Sequence, residues 1–236
     1  MKTELKLWAK GFFNLIFPNT CAVCGQQLVG DEKVMCLGCS IKLPRTNFHS
    51  FSSNDLHLRL LSPSAPVVKV TSMFYYQRDN EFAALIHDTK YRNRPSIGRM
   101  LANQFSEEIL QQGFFQGIDA IQPIPMHIIK KMRRGYNQSE EIAKGISQVS
   151  GLPIISNLRS NHYHSTQTRR NAKNRQLNAL GQFNLKNPSE LAGRHILLVD
   201  DVITTGSTLL EAIETIKREE PTARISVLTL AATTLQ

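Results

Sequence analysis

Two adjacent carboxylates, Asp200 and Asp201, stand between a run of branched apolar residues and a loop crowded with hydroxyls: Thr204, Thr205, Ser207 and Thr208, with Gly206 among them. Paired carboxylates accept hydrogen bonds from neutral hydroxyls or hold a hydrated cation. The loop offers the opposite chemistry. Its hydroxyls donate, and if it opens a helix, unpaired backbone N–H groups at the positive end of the dipole suit an anion. Gly206 lets the backbone approach that anion closely. A ribose carrying a 5-phosphate presents both sets of partners at once. The competing reading is an ordinary buried strand with Asp201 or Thr205 capping the next helix. A cap needs one such residue and gives the remaining hydroxyls no role.

For this chemistry to assemble, the acids and the loop must sit at a strand's carboxyl end. Ile196, Leu197, Leu198 and Val199 suit a strand covered on both faces, and Leu209, Leu210, Ala212, Ile213 and Ile216 recur with helical spacing beyond the loop.

The four cysteines fall in one compact pattern, Cys21 and Cys24 followed after eleven residues by Cys36 and Cys39. Four thiolates on two tight turns suit tetrahedral Zn2+ in a closed, structural site that lets a short segment fold without a large core. A redox dithiol is the alternative, but such motifs occur singly at a helix start. His49 and His57 lie outside the pattern and are read as loop histidines in solvent.

The 236 residues, 41% hydrophobic, suffice for one substantial core and a small appendage, and the net charge of +9 favours anionic partners such as phosphorylated metabolites or nucleic acid. No apolar run is long enough to span a bilayer, which makes the expected location cytoplasmic. The opening segment places Leu5, Trp8 and Phe12 on one helical face; it is read as packing on the cysteine module, with peripheral attachment at a membrane as the alternative.

Composition divides the chain into residues 1–44, an N-terminal helix and four-cysteine module; a connector at 45–66; and a main domain at 67–236. Strands are expected near residues 67–76, 118–125, 154–158, 196–199 and 225–230, and helices near 82–86, 97–110 and up to about 149. Strands alternating with helices imply an α/β fold around a parallel sheet, whose polar loops converge outside the strands' carboxyl ends. Basic residues mark several of these loops: Lys90 beside Tyr91, the cluster Lys130, Lys131, Arg133 and Arg134 ahead of Gly135, Tyr136, Asn137 and Gln138, and Arg169, Arg170, Lys173 and Arg175 in a polar stretch at 159–178. That stretch is read as a mobile lid or a nucleic-acid contact.

Four apolar residues, two acids, one apolar residue and then Thr-Thr-Gly-Ser-Thr resemble the signature of type I phosphoribosyltransferases. With the cysteine pattern, the Lys90 and Tyr91 turn, Pro123, Ile124 and Pro125, the run from Arg133 to Gln138 and residues 167–178, the order is similar to that of the ComF family. The resemblance implies a phosphoribosyltransferase-like twisted parallel sheet flanked by helices, preceded by a small zinc finger. It implies that Asp200 and Asp201 hold the ribose hydroxyls of phosphoribosyl pyrophosphate, that Thr204, Thr205, Gly206, Ser207 and Thr208 wrap its 5-phosphate, and that Mg2+ accompanies the pyrophosphate. Lys90, Arg133, Arg134, Asn137, Gln138, Arg169 and Arg170 become candidates for the pyrophosphate or for nucleic acid. It also implies handling of incoming single-stranded DNA during natural transformation, with DNA-uptake machinery as partners. Three functions stay open at this point: transfer of phosphoribosyl to an unidentified base or amine, single-stranded DNA binding with Tyr91, Tyr136 or Tyr163 as stacking surfaces, and regulation by the sugar phosphate.

Overall fold

The computed structural model describes residues 19–51, 53–60, 66–91, 95–160 and 181–234, with the side chains of Lys90 and Tyr91 left aside. The expected N-terminal amphipathic helix therefore lies outside the described residues.

Four strands form one parallel sheet, β1 (Val70–Tyr75), β2 (Ala120–Pro123), β5 (His195–Ile203) and β6 (Arg224–Ala232), in the order β1-β6-β5-β2. Crossovers separate every pair, as parallel pairing requires. β6, last in sequence, lies inside the sheet between β1 and β5. The helices α3 (Ala83–Tyr91), α4 (Pro95–Leu110) and α6 (Gln138–Ser150) bury Leu85, Leu101, Phe105, Ile142 and Ile146 against one face. α7 (Ser207–Glu219) covers the other with Leu209, Ile213 and Ile216. Lys90 and Tyr91 thus end a helix rather than form a free turn.

The cysteine module and the segment after it are continuous with these cores. Val34, Met35 and Leu43 join the α4 and α6 cluster, and α1 (Leu37–Lys42) carries Cys39 into it. Phe48, Leu56 and Leu60 join the α7 cluster, Leu56 from within the short α2 (Asp55–Arg59) and Leu60 from its C-cap. His49 is half-buried with its ring 5.8 Å from Phe105, and His57 accepts a hydrogen bond from the Asn54 N–H at 3.3 Å. Neither is the solvated loop histidine that its neighbours suggest.

The strand expected at 154–158 is reduced to one parallel bridge between Ile154 and Ile121. Beyond it the chain turns out of the sheet into β3 (Leu158–Ser160), which pairs antiparallel with β4 (Phe183–Leu185). The reason is the buried Gln122 of β2. Its Oε1 accepts the N–H groups of Asn157 at 2.8 Å and Leu158 at 3.1 Å, replacing the strand partners they would otherwise need.

α4 and α6 approach most closely at Gly145, where an added Cβ would lie 2.2 Å from the Arg99 carbonyl oxygen and 3.0 Å from the Ala102 Cβ. Backbone cannot yield there without separating the helices. Gly145→Ala is expected to destabilise the domain by about 1–3 kcal/mol, the usual cost of overpacking, read as a lower denaturant midpoint at unchanged slope.

Candidate functional site

The apolar half of β5, from Ile196 to Val199, is fully buried, and polarity begins where the strand nears its end. Asp200 and Asp201 are half-exposed, Ile203 is buried, and Thr204 and Thr205 are exposed. Gly206 then adopts φ 83° as the N-cap of α7 and has no side chain with which to cap it; the first turn holds no acid, and the Ser207 N–H donates to Thr205 Oγ1 at a long 3.4 Å. The start of α7 is thus ringed by exposed Thr204, Thr205, Ser207 and Thr208 and combines hydroxyls with helix-start amides. Thr205 Oγ1 lies 3.2 Å from Ser207 Oγ, so the hydroxyls support one another. Gly206 is required on two grounds. A side chain is strained at its φ, and a Cβ would press on Leu60 Cδ2 at 3.2 Å and the Arg59 carbonyl oxygen at 3.3 Å.

β2 runs parallel to β5 with Pro123 opposite Val199, so the segment leaving β2 starts beside the acids. Ile124 N donates to Val199 O at 2.9 Å and extends that pairing. α5 (Ile128–Arg134) follows, then α6, whose Ser139 donates its hydroxyl to Asp200 Oδ1 at 2.9 Å. The same oxygen accepts the Asp201 N–H at 2.9 Å. Ser139 gives no sign of this role in the sequence beyond following the Gly-Tyr-Asn-Gln run, because its partner lies 61 residues away.

Of the basic and polar candidates in that run, several are committed to the scaffold. Asn137, buried, caps α6 by accepting Ser139 N at 3.1 Å and donates to Ile124 O at 3.0 Å. Gln138, also buried, donates to the Thr89 carbonyl at 3.1 Å and accepts from Arg134 at 2.8 Å. The Tyr136 hydroxyl donates to the same Thr89 oxygen. Together they bind the last turn of α3 to the start of α6 and satisfy a helix-end carbonyl. Lys131 pairs with Glu140 at 2.7 Å, whereas Lys130 and Arg133 are exposed. No residue of α5 is buried. Arg169 and Arg170, with Tyr163, Lys173 and Arg175, lie outside the described residues, as does the side chain of Lys90.

The four cysteine sulfurs lie within 4.8 Å of one another, and those of Cys24 and Cys36 are 3.7 Å apart. Four sulfurs each about 2.3 Å from a tetrahedral zinc stand about 3.8 Å apart, so the spacing fits the ion. It is far beyond a disulfide, which places its sulfurs about 2 Å apart. Burial opposes ionisation of Cys21, but the N–H groups of Cys24, Cys36 and Val23 aimed at its sulfur outweigh it and bring the thiol down to about 7. Cys39 is pushed well above the usual thiol range by its burial and the neighbouring sulfurs.

Residues 95–234, more than half of the chain, match the family described as Phosphoribosyl transferase domain. DNA utilization protein YhgH of Escherichia coli is 30% identical over 206 residues, covering 84% of each chain. Competence protein F of Haemophilus influenzae is 36% identical over 102 residues, covering 42% of this chain and 44% of that protein. This chain belongs to the ComF family. Its phosphoribosyltransferase-like sheet extends beyond the matched span, since β1, which precedes it, is hydrogen-bonded to β6. Among solved structures, an allosteric regulatory enzyme of purine biosynthesis is similar at 17% identity and a TM-score of 0.40, covering 56% of this chain and 26% of that one. No described helix of this ComF-family chain is long and apolar enough to cross a membrane.

Besides Ser139, a second site residue escaped the sequence reading. Arg59, in the expected connector, donates to the Thr204 carbonyl at 2.8 Å and so touches the hydroxyl loop from 145 residues away. For the cysteines, freshly purified reduced protein is expected to carry about one zinc per chain by elemental analysis. Cys36→Ser should lose that metal and lower the melting temperature of the whole domain, because the module shares its apolar cluster with α4 and α6.

Proposed function

We propose that this chain is a ComF-type competence protein that handles incoming single-stranded DNA and carries a phosphoribosyl pyrophosphate site at the carboxyl end of β5. Thr204, Thr205, Gly206, Ser207 and Thr208 hold the 5-phosphate through hydroxyls and the first amides of α7. Asp200 and Asp201 accept hydrogen bonds from the ribose 2- and 3-hydroxyls. The carrying observation is the juxtaposition of half-exposed acids with a glycine-capped helix start ringed by exposed hydroxyls, within one strand-to-helix connection. Acids placed directly against the phosphate would repel it; set one turn back toward the strand, they meet its sugar instead.

The pyrophosphate belongs on the side of β2, where the segment from Pro125 to α6 begins beside Asp200. Arg133 is an exposed cation there, with Lys90, Arg134, Arg169 and Arg170 as further candidates for the pyrophosphate or the DNA backbone. Mg2+, if bound with the pyrophosphate beside Asp200 and Asp201, would supply neutralisation of the charge that departs in a transfer reaction. Asn137 and Gln138 shape this region through the bonds they already make. The competence role is supported by the similarity to Competence protein F and DNA utilization protein YhgH, and the excess of basic residues suits a polyanion. Partners in the DNA-uptake machinery and a cytoplasmic site of action follow from the same reading.

Calorimetry with phosphoribosyl pyrophosphate and Mg2+, beside single-stranded DNA binding across a range of salt, tests this. Asp200→Asn/Asp201→Asn is expected to weaken sugar-phosphate binding at least tenfold, about 1.4 kcal/mol. DNA affinity of the variant should be retained and fall with rising salt as in the parent. Unaltered phosphoribosyl pyrophosphate affinity in the variant contradicts the assignment of the acids. Release of pyrophosphate with a candidate base or amine would establish transfer rather than binding alone.

A further inference from the structure

We infer that Arg59 is a positioning residue for the 204–208 loop, an inference that rests on the reading that this loop holds a phosphate. Arg59 ends α2, a helix of five residues that cannot be rigid by itself. It is instead pinned from outside. Asn54 caps it by accepting the N–H of Leu56 at 3.0 Å, and the Asn54 amide donates to Val70 O of β1 at 3.0 Å and to Phe48 O at 3.3 Å. Leu56, in its first turn, and Leu60, at its C-cap, are fully buried.

From that fixed base the guanidinium bridges the ends of two strands. Nη1 donates to Thr204 O at 2.8 Å and to Thr233 Oγ1 at 3.3 Å, and Nη2 donates to Thr233 O. Thr233 N in turn donates to Ile203 O at 3.0 Å. The two terminal nitrogens of a planar fork reach these three acceptors from separate positions, whereas an ammonium would have to reach them from one, so lysine reproduces the bridge only in part. Among the described residues the Arg59 Nε is buried without an acceptor, so the side chain is held by the bonds of its two terminal nitrogens.

The consequence for the loop is directional. In a trans peptide the carbonyl and the following N–H point opposite ways. Holding the Thr204 carbonyl on the Arg59 side therefore turns the Thr205 N–H away from it. Arg59 O and Leu60 also close the space beneath Gly206 among the described residues, which directs an anion to the opposite side. The cation behind the loop adds a fixed positive charge without occupying the site. Arg59 thereby makes the residues after the cysteine module part of the loop's support.

The test compares Arg59→Lys, Arg59→Gln and Arg59→Ala with the parent in two measurements. Hydrogen exchange without ligand is expected to rise in all three variants at the amides of residues 204–208, while amides of β5 and α6 keep the parent rate. Calorimetry with ribose 5-phosphate is expected to show binding tenfold or more weaker in Arg59→Ala and Arg59→Gln, with part of the loss recovered in Arg59→Lys through its charge. If Arg59→Ala does not fold, Arg59→Lys carries both measurements. Loop exchange unchanged in the folded variants overturns the inference whatever the ligand does. A parent that does not bind ribose 5-phosphate, with loop exchange still raised by the variants, overturns the phosphate reading and leaves the positioning role standing. Equal ribose 5-phosphate affinity in parent and variants, despite raised exchange, overturns the claim that the positioning serves binding.

Discussion

Because β5 is hydrogen-bonded to β2 on one side and β6 on the other, and is buried over its apolar half, its chain can turn polar only where the strand ends. That constraint organises the site. Ile203 is still paired with Ala232, and α7 begins at Ser207, so the intervening residues must reverse direction without a side chain at the tightest point. Gly206 supplies the positive φ and no capping side chain, and the amides of the helix start are concentrated where the hydroxyls gather. The parallel partner β2 ends alongside, which brings the start of α6 to Asp200 through Ser139. Acids and anion-seeking groups are thus neighbours for topological reasons, before any ligand is considered.

Around this exit most polar side chains serve the frame. Asn137, Gln138 and Tyr136 tie α6 to the β2 exit and to Thr89 at the end of α3. Each such bond is worth about 1 kcal/mol net, and more when its loss strands a buried partner. Removing one would therefore move the loops beside the acids as well as weaken the fold. The cysteine module follows the same logic. Too small to hold a core of its own, it lends Val34, Met35 and Cys39 to the main one, so the order that an ion would impose on four thiolates would pass to the shared core.

What could be read from the chain was whatever depends on near neighbours. The strand, loop and helix at 196–216 declared themselves because apolar period, acids and hydroxyls are contiguous, and the cysteines because metal-ligand spacing is local. Ser139 and Arg59 stayed hidden because each acts across a long separation on a partner that only the folded sheet brings close. Asn137 and Gln138 were legible as a distinctive pair but not as buried ones, since residue type reveals bonding capacity and not the partner that uses it. The same limit explains the strand expected at 154–158. Its apolar pattern is real, but Gln122 reaches across and claims the amides that would have extended the sheet.

In the proposed function the amides and hydroxyls after β5 take a phosphate while the adjacent acids take its sugar. A crystal structure grown with ribose 5-phosphate addresses it directly. Phosphate density is expected against the amides of Gly206, Ser207 and Thr208, with the ribose hydroxyls turned toward Asp200 and Asp201. Phosphate bound elsewhere on the chain, or at this loop with the sugar directed away from both acids, would contradict it.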